Sequence, residues 1–76
     1  MAIQKGNASA LLDVLNSRYG MKNDAALSRQ LGVAPPVISK LRHGRLPVGA
    51  VFVLKIHDAF DMPIKEIREI AGIAAN

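Results

Sequence analysis

Between Ala25 and His57 the chain carries five basic residues, Arg29, Lys40, Arg42, Arg45 and Lys55, and no acid. Four acids, Asp58, Asp61, Glu66 and Glu69, come after it, against Lys65 and Arg68. The net charge of +4 is modest, but its layout leaves one end cationic and the other mildly anionic. Clustered cations attract a polyanion through their summed field; the competing reading is ordinary solvated surface charge. Within the block, Lys40 can donate to guanine O6 and N7, and Ser39 can donate or accept at a base or a phosphate. Hydrolytic chemistry is not expected. Ser39 and His43 stand four residues apart, but no third group or oxyanion hole accompanies them. His57 and Asp58 are adjacent on a helix and point different ways. No Cys completes a zinc site with His43 or His57. The chain is therefore expected to be a non-enzyme without metal or cofactor.

The elements that must position these groups are short helices. Leu27 and Leu31 lie at i,i+4 and Ile38 and Leu41 at i,i+3, so each segment has one narrow apolar stripe. Gly32 ends the first, because a C′ residue adopts the left-handed conformation cheaply only as Gly. Val33 plugs the angle, and Pro35 restarts the helix where its missing N–H costs nothing. Residues 23–44 thus predict two helices meeting at a tight turn, the second cationic, a geometry that fits a DNA major groove. With Ile38 and Leu41 inward, the opposite face of helix 35–43 is Pro36, Ser39, Lys40 and His43. Val37 lies at one margin and Arg42 near the other, closer to the core. Pro35, Pro36 and Val37 have no side-chain donor and offer only apolar contact to a thymine methyl. Direct base readout is then sparse, and DNA shape contributes more.

Gln30-Leu31-Gly32-Val33, then Ile38-Ser39-Lys40-Leu41, then Gly44, resembles the helix-turn-helix of the phage lambda repressor and Cro (XRE-type) family. The resemblance extends from about Leu11 to Ala71, with further helices opening near Pro47 and at Pro63. It implies an all-α, compact five-helix lambda-repressor-like domain. It also implies that the N-terminus of helix 2 and the segment after helix 3 approach the DNA backbone. That points to Asn23 with the first amides of helix 2, to His43 and to Arg45. Lys22 and Arg29 are further phosphate candidates that surface solubility explains almost as well. Asp24 is an awkward neighbour for a phosphate. Family members frequently hold an acid at the position of Arg42, paired with a base on helix 1. Here the signs look exchanged, which suggests a structural Asp13–Arg42 pair, with Arg42 reaching a phosphate as the other reading. Helical positions 35–37 depart from the polar residues that better-known members often carry.

The resemblance implies a sequence-specific regulator of transcription that binds double-stranded DNA, a Cro-like repressor seated as a homodimer on a palindromic operator. The alternative is an antitoxin or phage-accessory module that keeps the fold, binds little or no DNA and engages a protein partner such as a toxin.

The rest of the chain sets the frame. Seventy-six residues predict one domain over 1–76 with an ordered core at about 8–72. A chain this short buries about 60% of its unfolded surface, so good packing or self-association must support it. Asn7 or Ser9 caps helix 1, which brings Leu11, Leu12, Leu15 and Tyr19 inward and stops at Gly20. Asn23 caps helix 2, and Asp24 suits its positive end. Helix 4 runs to about Phe60, Pro63 opens helix 5, Gly72 closes it, and Ile73 to Asn76 is expected to fray. Phe52, Val53, Ile56, Ala59 and Phe60 form one broad face of helix 4, and Val51 and Leu54 fall outside it. A helix apolar nearly all round is buried on more than one side. Chains are therefore expected to meet at Val51 and Leu54, or at Ile67 and Ile70 on helix 5; the competing reading is a core that wraps these residues. No apolar run approaches the ~20 residues of a membrane span. Asp13 lies inside the first apolar stretch and no small-residue cleavage site follows it, so no signal peptide is expected. Absence of Cys fits a reducing compartment, and a cytoplasmic location is expected. With no room for an effector-binding domain, such a chain is expected to respond through its own concentration or a partner.

Overall fold

The chain's capping residues divide it into five helices among residues 8–72, the part that the computed structural model describes. They are α1 (Ala8–Tyr19), α2 (Asp24–Leu31), α3 (Pro35–Arg42), α4 (Ala50–Phe60) and α5 (Ile64–Ala71). α4 opens at Ala50, three residues after Pro47, while the other ends fall within about a residue of those expected from sequence. The expected Asn7 cap and the fraying at 73–76 lie outside the described residues. No strand occurs among the described residues, and none of their helices is long and apolar enough to cross a membrane.

Local chemistry explains the breaks. Asn23 is extended, and its Oδ1 accepts from the Ala26 amide at 2.9 Å, satisfying one of the free N–H groups of α2. At the other end Gly32 sits at φ 71°, and the amides of Gly32 and Val33 return to the carbonyls of Arg29 and Ser28. A Cβ at Gly32 meets no atom within 4 Å, so the requirement for Gly is conformational rather than steric. Ala34 offers α3 no side-chain cap, and Pro35 at its start removes a donor that would lack a partner. Asp61 closes α4 in the left-handed region at φ 58°, a conformation that Asp tolerates better than most side chains. His57 Nδ1, in the tautomer that donates, reaches the Met62 carbonyl at 2.7 Å and braces the bend into α5.

The core is shared by all five helices. Leu11, Leu12 and Leu15 of α1 are fully buried against Leu27, Ile38, Ile56, Met62 and Ile67, with Leu31, Leu41, Phe52, Val53 and Ala71 completing it. α1 packs on α2, α3 and α5, α2 packs on α3, and α4 lies against α5 and α2. Tyr19 is half-buried and stacks on Phe60 with ring centroids 4.3 Å apart, which joins the ends of α1 and α4. The one buried polar side chain among these residues, Ser28, donates to the Ala25 carbonyl at 2.7 Å.

The two surfaces expected to meet a second chain come out differently. Val51 is 69% exposed and Leu54 51% exposed, so the outer side of α4 is uncovered within one chain. On α5 the expectation needs correction. Ile67 is fully buried where α1 and α4 pack on α5, and Ile70 is half-buried against the same core. Ile67 is a core residue and offers nothing to a partner. Ile64, at the start of α5, is 37% exposed.

Candidate nucleic-acid interface

α3 is anchored by Ile38 and Leu41, and its helical rotation turns Pro36, Ser39 and Lys40 to solvent. Val37 is half-buried against the core and has less surface to offer than the expected apolar contact assumed. His43 follows the last turn. Its Nδ1 lies 2.9 Å from the Ser39 carbonyl and donates to it, so only Nε2 remains for a ligand. Gly44 then turns at φ 73°, and the Arg45 amide bonds the Lys40 carbonyl at 2.8 Å. This left-handed closure fixes the backbone of Arg45 on the end of α3. Lys40, His43 and Arg45 thus belong to one rigid stretch, all exposed, and none is ion-paired among the described residues. Lys22 and Arg29 are also exposed and unpaired among them, on the approach to α2 and along it. The Asn23 side chain is committed to its cap, so its contribution to an anion is made through backbone amides rather than the carboxamide.

Arg42 faces the other way. Its Nε and Nη2 donate to the two carboxylate oxygens of Asp24 at 2.7 and 2.9 Å, a bidentate pair. Nη1 donates to Asp13 at 2.9 Å and to the Ser9 hydroxyl at 3.0 Å. One guanidinium therefore joins α1, α2 and α3. The Asp13–Arg42 pair expected from sequence is present, but Asp13 is 68% exposed and is the lesser partner. With its donors engaged in this way, Arg42 is turned from the outer face of α3, against the reading in which it reaches a phosphate.

Asp24, Ser9 and Asn16 are the members of this group that sequence reasoning missed. Asn16 Nδ2 donates to Asp24 Oδ1 at 3.0 Å, which fixes the orientation of the carboxamide, while its Oδ1 is buried without a partner among the described residues. A signal was available: Asp13 and Asp24 are the only acids before Asp58. The bonds from Arg42 hold the Asp24 carboxyl below the ordinary carboxylate range, against the opposing pull of partial burial, with Asn16 helping. Arg42 in turn is raised above its usual value, chiefly by its bond to Asp24. The electrostatic consequence is local. The carboxylate at the start of α2, which would repel a phosphate, is matched by a cation within the fold.

No group of acids, histidines or cysteines among the described residues is arranged to hold a metal ion. Comparison of the chain with protein-family models, curated proteins and solved structures gave no match.

Proposed function

We propose that α2 and α3 form a helix-turn-helix, that α3 enters the major groove of double-stranded DNA, and that the protein is a sequence-specific regulator of transcription resembling the Cro-type repressors. The observation that supports this best is the division of the cations. Arg42 is consumed inside the fold, while Lys40 and Arg45 stand free on one rigid stretch with no acid between Ala25 and His57. Lys40 reads a base edge, Ser39 assists, and Pro36 and the exposed part of Val37 offer apolar contact to thymine. Arg45, His43, Arg29, Lys22 and the Asn23 end of α2 hold phosphates. Two copies related by a twofold axis, meeting through Val51 and Leu54 of α4, place two α3 helices ~34 Å apart on a palindromic site. A cytoplasmic location belongs to this reading.

The test is a mobility-shift assay on the DNA upstream of the gene for this chain, against random duplex and over a salt series. The reading predicts a specific complex of two protomers whose affinity falls steeply with salt. Equal affinity for every duplex, or no complex at low salt, overturns it. A second reading, an antitoxin-like or phage-accessory interaction module that binds little DNA, is favoured by one feature. α3 begins Pro35-Pro36-Val37 and so presents no donor where base readout usually starts. The same assay separates the two.

A further inference from the structure

A groove of about 300 Å3 lies between the start of α4 and the start of α5, walled by Val48, Ala50, Val53, Leu54, Ile64 and Arg68. Its walls are apolar except for Arg68, and two of them, Leu54 and Ile64, are large side chains left exposed. Arg68 makes no ion pair among the described residues. Its own helix has no acid three or four residues away to answer it. Glu66, the acid in the first turn of α5, is instead held by Arg18 of α1 at 3.0 Å. A cation that no side chain on its helix pairs, set in an apolar concavity, specifies what fits there: hydrocarbon and one carboxylate.

The volume is at the lower end of the ~300–1,000 Å3 of pockets that bury whole small molecules. It suits one or two apolar side chains of a peptide laid across it. A second copy of this chain is a poor occupant, because a twofold axis through the groove sets concave wall against concave wall and Arg68 against Arg68. Nucleic acid is a poorer one, since the walls are mainly hydrocarbon and offer a single guanidinium as their one charged side chain. We propose that this groove docks a short acidic-apolar segment of another protein. Its apolar side chains pack between Leu54 and Ile64, and its Asp or Glu pairs with Arg68 through two parallel hydrogen bonds. The proposal does not depend on DNA binding. Leu54 also belongs to the proposed dimer contact, so such a segment competes with the second copy for α4.

The test selects binders from a random dodecapeptide library on the full chain, and in parallel on Arg68→Glu. Arg68 is exposed, and thermal melts establish that the variant is folded. The full chain is expected to enrich peptides that combine two apolar residues with at least one acid. A synthetic copy of the strongest should lose about tenfold or more in affinity, by fluorescence anisotropy, for Arg68→Glu and for Leu54→Ala. Selection on Arg68→Glu should yield basic peptides in place of acidic ones. No enrichment, or enriched peptides indifferent to both substitutions, overturns the proposal. So does a dimer in sedimentation in which Arg68→Cys, treated with a mild oxidant, forms a disulfide between the two copies, which assigns the groove to a second copy. Because the readout uses no DNA, failure of this proposal and failure of the mobility shift are separate results.

Discussion

The α1–α2–α3 corner and the α4–α5 corner are held by different physics. In the first, orientation rests on directional bonds: the Asn23 cap, the Arg42 fork on Asp24, and the Asn16 and Ser9 contacts around it. In the second, α4 and α5 begin without side-chain caps, and apart from the His57 bond to the Met62 carbonyl the holding falls to Phe52, Val53, Ile56, Met62 and Ile67. Burial is strong but non-directional, whereas a bidentate pair specifies distance and angle. The polar corner bears the cationic face, whose geometry has to be exact to within a hydrogen bond if it reads a duplex. The apolar corner holds much of the buried core and leaves Val51 and Leu54 exposed.

The comparison breaks first if stability does not reside mainly in burial. Ile56 is fully buried, and Ile56→Ala is expected to cost about 2–5 kcal/mol in urea melts. A smaller loss than that from Arg42→Ala would reverse the assignment of roles. For Arg42→Ala the expected cost is about 1–3 kcal/mol, because the substitution leaves a half-buried Asp24 with only Asn16. Combining Asp24→Ala with Arg42→Ala should lose less than the sum of the two single changes, whereas strict additivity would mean that the pair does not couple. Asp13→Ala, at the exposed arm, should cost at most about 1 kcal/mol.

The cationic face sharpens the comparison through DNA binding. Lys40→Ala should relax preference at one base pair by about 1–3 kcal/mol, measured on a set of single-base operator variants. Equal weakening on all sequences would make Lys40 a phosphate contact. Arg45→Ala should weaken every sequence alike and lower the salt slope by about one unit. An unchanged slope removes Arg45 from the interface. The smallest expected effect is in acid. Asp24 titrates below its unfolded value, so what it contributes is complete above about pH 4 and is lost as pH falls through the folded value. The stability gap between the natural chain and Asp24→Asn should therefore hold steady down to about pH 4 and close below it. A gap that persists at the acid end would detach Asp24 from Arg42.

What could be read from sequence was whatever is written locally. Gly20, Gly32, Gly44 and Gly72 all take positive φ, and Pro35 opens α3, so helix ends were punctuated by residues whose backbone preferences need no tertiary context. The outward face of α3 followed from two anchors and a 100° step. The rest depended on how helices cross. Asp24 already had a sufficient local explanation at the positive end of α2, and its real partner lies 18 residues away on another helix. Ile67 and Ile70 are indistinguishable from sequence on α5, yet the packing of α1 and α4 buries the first and only half-buries the second.

The Arg42 fork also constrains how this sequence can change over generations. Arg42→Glu alone would set three carboxylates at one crossing of helices, and Asp24→Lys alone would face a guanidinium with an ammonium. A lineage that carries this arrangement reaches the opposite-sign arrangement only through a neutral intermediate or through paired substitutions. Asp13, exposed at the edge of the cluster, is the member whose loss costs least, so the tolerance of these positions to change is expected to follow their exposure: Asp13 before Asp24, and Arg42 last.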